Sequence, residues 1–168
     1  RREVAIGPDE TSLELAARMS AIGADLIVET LLQFDRGEIS PLPQEEKDAT
    51  YAPILKKENG RIEWAQSAQR IYNRMRGFTP WPGSYSTFRG QTCHLWGRPE
   101  TPGTTGETDA HLKPLELGEI VLSAEEIHIV CGEGTRLLLE FVQLEGRKKI
   151  SAREFANGAR LLSGDRFS

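Results

Sequence analysis

Cysteine is nearly missing from this chain: Cys93 and Cys131 are the only two thiols in 168 residues, and no CxxC pair is present. Such scarcity excludes a disulfide framework and a cysteine-based zinc site, and both thiols read as small buried hydrophobes within strands. Long apolar runs are lacking as well. No stretch reaches the length of a membrane span, and the opening RREVAIGPDE has no apolar core of the kind a secretory signal carries, so a cytoplasmic chain without membrane partners is expected. Histidine is sparse, with His94, His111 and His128 in CHLW, AHLK and IHIV, and no spacing among them forms a ligand set. His94 and His128 read as structural residues of strands and His111 as part of a polar loop. No metal site, no cofactor bound by this chain and no catalytic residue are expected. The length leaves room for one modest domain with an appendage, not for two full domains.

A net charge of -4 speaks against a polyanionic partner until it is divided along the chain. Residues 1–50 carry -6, residues 51–99 carry +6 and residues 100–168 carry -4. From Leu144 onward six basic residues (Arg147, Lys148, Lys149, Arg153, Arg160, Arg166) face three acidic ones. Two basic stretches thus flank an acidic middle, and if folding brings them to one face a polyanion is their natural partner.

Thr11 with Glu14 forms a capping box, and apolar residues at helical spacing predict two short helices, one ending at Gly23 and a second running from Ala24 to a stop at Gly37. So small a helical pair needs another domain to pack against. The chain also opens on Arg1 and enters a helix with no strand before it, which reads as a piece excised from a longer protein. Residues 38–60, with three prolines and no sustained period, read as a linker. Ala68, Ile71, Tyr72, Met75 and Phe78 predict a helix over about 67–77, stopped by TPWPG at 79–83, where each proline lacks an amide donor. The period then changes to two. Runs at 84–89 and 91–97 meet at Gly90 as a hairpin, three further strands are predicted at 118–123, 126–131 and 135–142, and a long polar loop fills 98–116. Ser151 with Glu154 caps a terminal helix expected to stop near Gly158. The expected fold is mainly β with helices: a small OB-like antiparallel barrel over 61–168, preceded by a linker and, over 1–37, by the helical remnant of an α/β domain.

Four separated strings carry a resemblance: ATYAPILKKENGRIEW (49–64), IYNRMRGFTPWPGSY (71–85), GEIVL (118–122) and LEGRKKISAREFANGARLLSGDRF (144–167). In this order and spacing they resemble the linker and carboxy-terminal domain of methionyl-tRNA formyltransferases. DETSLELAARMSAIGADLIVETL (9–31) is similar to the closing helices of that family's catalytic domain. The resemblance implies a monomer that holds initiator methionyl-tRNA, with a separate amino-terminal domain transferring the formyl group from 10-formyltetrahydrofolate. The His-x-Ser-Leu-Leu-Pro string of that catalytic domain is absent from this sequence, so the chain alone is not expected to catalyse transfer. A packing or interaction module of a related formyltransferase or formyltetrahydrofolate hydrolase is the alternative.

The tRNA-binding candidates are Lys56 and Lys57 in the linker, Arg70, Arg74 and Arg76 on the basic helix, and Lys148, Lys149 and Arg153 between a strand and the last helix. Only Glu58 and Glu63 offset the eight cations of residues 51–99, so intramolecular pairing cannot absorb most of that charge, whereas a ribose-phosphate backbone can. Trp64 and Trp96 are expected in the core, Trp81 is expected to pack the helix onto the barrel, and Arg89 is expected to be a plain exposed turn residue.

Overall fold

The computed structural model describes residues 1–100, 115–123, 126–162 and 164–168. His111 and most of the expected polar loop lie outside the described residues. The chain divides into two compact units, Arg1–Leu55 and Lys56–Ser168.

In the first unit, the two expected helices are one: α1 runs unbroken over Ser12–Asp35. Gly23 does not end it, because a lone glycine costs a helix only about 1 kcal/mol and the good helix formers on either side outvote it. Thr11 and Glu14 form the capping box, each accepting a hydrogen bond from the other's backbone N–H. Gly37, at a φ of 70°, closes the far end, where Glu38 N–H reaches back to Gln33 O. No residue of α1 is buried, and Ile27, Leu31 and Phe34 are all more than half exposed. Within the proline-containing stretch that follows, a 3-10 turn forms at Glu46–Asp48.

The second unit is built on a curled antiparallel sheet. Its strands are β1 (Tyr85–Phe88), β2 (Gln91–Pro99), β3 (Ile120–Leu122), β4 (Ile127–Val130), β5 (Arg136–Leu144) and the two-residue β6 (Ile150–Ser151). The order is β1-β2-β5-β4-β3, with β6 paired to β5. The β1–β2 hairpin turns on Arg89 and Gly90, both at positive φ, which matches the right-handed twist of the strands it joins. A non-glycine residue in the first position is held by its side chain. Arg89 donates to Asp165 through Nε and Nη2 (3.2 and 2.7 Å) and to Ala159 O through Nη1 (2.9 Å). It is therefore an anchor, not the plain turn residue the sequence implies.

What curls the sheet is the carboxy-terminal segment. Thr87 and Ser168 exchange both backbone hydrogen bonds at 2.9 Å, Phe167 N–H donates to Gly118 O, and Ile120 N–H donates to Asp165 O. These few residues bridge β1 to the start of β3 and so tie together the two ends of the strand order. Gly118, at a φ of 80°, makes the approach possible: a Cβ there would collide with Phe167 O. Phe167 is 1% exposed and packs among Trp64, Phe88 and Phe155.

Two helices complete the core. In α2 (Ala68–Gly77), Ala68, Ile71 and Met75 are buried against β2 and β5. Its cap comes from another element, since Ser67 makes no side-chain cap and Thr135 Oγ1 accepts the Ala68 N–H at 2.8 Å. In α3 (Ala152–Ala159), Ser151 and Glu154 form the expected capping box. That helix continues through Gly158 and ends at Arg160, which takes the left-handed conformation itself. Trp64 lies in the core as expected, donating through Nε1 to Ser86 Oγ. Trp81, expected to pack the helix onto the barrel, is 57% exposed, and its neighbour Pro82 is buried. Both Thr79-Pro80 and Trp81-Pro82 are cis.

Candidate nucleic-acid interface

The interface residues are positioned by α2, the corner that ends it and the outer face of β2. Lys56 and Lys57 enter a 3-10 turn over Lys57–Gly60, pinned where Lys56 N–H donates to Asn59 Oδ1 at 2.7 Å. Arg74 donates to Asn59 O at 2.8 Å, which fastens the turn to the last turns of α2. Lys56, Lys57 and Arg74 are thereby gathered. Arg70 lies one turn earlier on the same helix and is exposed. Arg76 points aside, its Nε donating to Asn73 Oδ1 at 3.0 Å.

From Arg74 a chain of contacts leads across the sheet. Its guanidinium lies 5.2 Å over the Phe78 ring, Phe78 O accepts the Gly83 N–H, and Gly83 sits against His94 so closely that a Cβ would be 3.1 Å from Nδ1. His94 and Trp96, two residues apart on β2, share its outer face, opposite buried Cys93 and Leu95. Tyr85 of β1 faces His94 with ring centroids 6.0 Å apart, and His94 faces Trp96 at 6.3 Å. At the far end Lys149 Nζ stands 4.1 Å from the Trp96 ring centroid and 4.4 Å from that of Phe141.

Phe141 reaches this face because of a bulge. The β2–β5 register shifts between Trp96 and Gly97, leaving Glu140 without a partner, so Glu140 and Phe141 both face outward before Val142 turns in. Gly97 permits the approach of β5 there, since a Cβ would strike Leu138 O. Glu140 then meets Arg98 at 3.4 Å.

Lys149 thus closes one end of a row of rings, Trp96, His94 and Tyr85, while Arg74 and Phe78 stand at the Gly83 corner beside His94; Lys56 and Lys57 belong to the turn that Arg74 bonds, and Arg70 to its helix. Lys148 lines a groove between the same segment and α3, and Arg153 lies exposed in the first turn of α3; among the described residues neither is joined to the rings. The rings were the part that sequence reasoning missed. Trp96, expected in the core, is half-buried on the outer face, and strict alternation with Leu95 in QTCHLW was the signal that places it there. No equivalent signal exists for Phe141.

Of the remaining polar residues, His128 is buried with Nε2 3.7 Å from Glu100 and 3.5 Å from Glu126. Among the described residues no cluster of His, Cys, Asp and Glu is arranged to hold a metal ion, and no helix is long and apolar enough to cross a membrane. Burial pushes the Cys93 and Cys131 thiols up to about 12, which removes them as nucleophiles.

Comparison with known proteins agrees with this architecture. The family described as formyl transferase, C-terminal domain, matches residues 54–160. A methionyl-tRNA formyltransferase of Solibacter usitatus is 46% identical over 99% of this chain and 50% of its own length. One from Koribacter versatilis is 42% identical over 98% and 49%. The chain therefore spans about half the length of these curated relatives. Among solved structures, a variant of HypX from Aquifex aeolicus superposes with a TM-score of 0.59 at 19% identity, over 92% of this chain and 27% of that one, which is a likeness of fold. With a curled antiparallel sheet closed by its own last residues and most of its length within the family match, the chain belongs to the formyl transferase C-terminal domain family.

Proposed function

We propose that this chain is the tRNA-holding half of a methionyl-tRNA formyltransferase, and that it carries no part of the formyl-transfer chemistry. The observation that supports this most directly is the row of His94 and Trp96 ending in Lys149, with Arg74 and Phe78 joined to it through the Gly83 corner. Cations distant in sequence are joined over a surface of exposed and half-exposed rings, which suits a ribose-phosphate backbone. An A-form acceptor arm hides its base edges in a deep groove, so recognition here is by charge and shape, and preference for the initiator tRNA rests elsewhere in the full enzyme. Binding of 10-formyltetrahydrofolate is assigned to the part of the relatives that this chain does not span.

The test is filter binding or fluorescence anisotropy with initiator methionyl-tRNA across a salt series. Affinity is expected to fall with a slope equivalent to roughly four to six phosphates. Changing Arg70, Arg74 and Arg76 together to Ala should weaken binding and flatten the slope, with some drop in the unfolding midpoint from the lost Arg74–Asn59 hydrogen bond, whereas Arg70→Ala alone should flatten the slope with the midpoint retained. Salt-independent binding, or unchanged affinity in the triple variant, contradicts the reading.

The exposed apolar side chains of α1 favour a second role. Ile27, Leu31 and Phe34 lie along an amphipathic helix with no buried residue, as a helix does when its partner surface belongs to another part of the protein. The partner proposed is the catalytic portion of the same enzyme. Adding that portion as a separate chain should protect α1 amides from hydrogen exchange.

A further inference from the structure

A groove of about 340 Å³ lies between the turn leading into β6 and helix α3. Its floor is apolar, formed by Leu144, Ile150, Ala159 and the edge of Phe155, and its rim carries Arg147 and Lys148. Both rim cations are exposed, and no ion pair joins either of them to a carboxylate among the described residues. Glu154 also borders the groove, but its Oε2 is occupied by the Ser151 N–H at 2.8 Å and the Ser151 hydroxyl at 2.7 Å, as the capping box requires. The electrostatic balance of the rim is therefore positive over an apolar floor. That combination matches an amphiphilic anion with a flat apolar body and a phosphate.

The groove shares the segment 147–150 with the row of rings described above. The segment 147–150 divides its side chains between two surfaces: Lys149 goes out over Trp96 and Phe141, while Lys148 and Ile150 line the groove. A polynucleotide following the strip to Lys149 arrives at the groove's rim.

We infer that this groove takes one unpaired nucleotide of the bound RNA, with its base on the floor of Leu144, Ile150 and Ala159 and its phosphate at Arg147 and Lys148. The inference rests on the tRNA reading above and names a subsite within it. The side chains of Leu144, Ile150 and Ala159 carry no polar atom to read base edges, so the subsite accepts any base and prefers purines for their larger area. It differs from the strip in kind, because the strip engages backbone on a sheet surface whereas the groove encloses a base.

Gly158 provides a clean test. It lies inside α3 without a positive φ, and a Cβ added there meets nothing within 4 Å, so Gly158→Leu fills the groove while giving the helix a better helix former. Amide chemical shifts of the full chain would be followed during titration with AMP, with adenosine and with inorganic phosphate. AMP should shift Ile150, Gly158 and Ala159 together with Arg147 and Lys148, whereas phosphate alone should shift only the last two. In Gly158→Leu the AMP shifts on the floor should vanish with the rest of the spectrum retained, and affinity for tRNA should drop about fivefold or more, which corresponds to roughly 40 Å² of base surface buried on an apolar floor. Arg147→Ala with Lys148→Ala should remove the phosphate response and leave a weak adenosine response.

Floor shifts that are the same with inorganic phosphate as with AMP would overturn the base-binding assignment. So would equal tRNA affinity in Gly158→Leu and the parent. A parent chain that fails to bind tRNA at all sinks the wider reading instead, and the AMP titration then judges the groove on its own.

Discussion

The ammonium of Lys149 stands over the face of Trp96 at 4.1 Å from the ring centroid, with Phe141 flanking it at 4.4 Å. Two aromatic faces hold a charge that the described structure gives no carboxylate partner, at a favourable energy of about 0.5–1 kcal/mol for such an exposed pair. The ammonium keeps its donors for an outside anion. Trp96→Ala and Lys149→Ala should each lower the salt slope of tRNA binding by about one phosphate, and the double variant should lower it no further. Additive losses would show that Trp96 contacts RNA without Lys149. In the free protein, the Lys149 ε-methylene protons should show ring-current shifts that Trp96→Ala removes.

Closure of the sheet by the last residues gives Phe167 a weight that its position near the chain end does not advertise. It is buried among three aromatic rings while its backbone pairs with Gly118. Phe167→Ala should cost about 3–5 kcal/mol of stability in the second unit, read by urea unfolding followed at Trp64. Gly118→Ala should cost a comparable amount through the collision with Phe167 O. A small effect of either change would mean that the sheet holds its curl without this segment.

Asp165 links that closure to pH. Burial pushes its carboxyl upward, but the hydrogen bonds from Arg89 and the Leu162 N–H, with the Arg89 charge, outweigh this and leave it below the ordinary aspartate value. A lowered carboxylate stabilises the fold fully above the unfolded pKa and loses that contribution as pH falls through the folded one. Acidification below about pH 4 should therefore loosen the terminal segment. Since Arg89 is 48% exposed, the effect is expected to be about 1 kcal/mol at most. Asp165→Asn should flatten this part of the pH-stability curve; an unchanged acid limb would place the effect on other carboxylates.

Both thiols should be silent in the folded protein. Cys93 and Cys131 are 0% and 2% exposed, and burial pushes each up to about 12. Neither should react with iodoacetamide at pH 8 until denaturant is added, and rapid labelling of either under native conditions would show that the sheet opens there.

Local signals were strong wherever a residue's task was set by its near neighbours. The capping boxes at Thr11 and Ser151, the helix of Ala68, Ile71 and Met75, and the hairpin at Gly90 all follow from spacing of four residues or fewer. Expectations failed where the deciding partner is distant. Gly23 is a separate case: it reads as a stop by its low propensity alone, although the helix formers on either side outvote it. Arg89 looked idle because its partner, Asp165, is 76 residues away. Trp81 looked like packing because an aromatic between prolines resembles a wedge, but it is 57% exposed.

The sequence by itself determined the two periods, helical and alternating, and the segregation of charge that marks 51–99 and the tail as basic. It also determined which face of β2 carries His94 and Trp96, since alternation leaves no choice once Cys93 and Leu95 go inside. Tertiary structure alone decided that Lys149 of the second basic stretch stands over Trp96 of the first. That depended on one unpaired residue, Glu140, whose bulge turns Phe141 from an inward position to an outward one and sets it opposite Trp96 beneath Lys149. A side chain's face in a strand has a period of two, so a one-residue shift in pairing reverses it, and pairing between distant strands is not written in either strand alone.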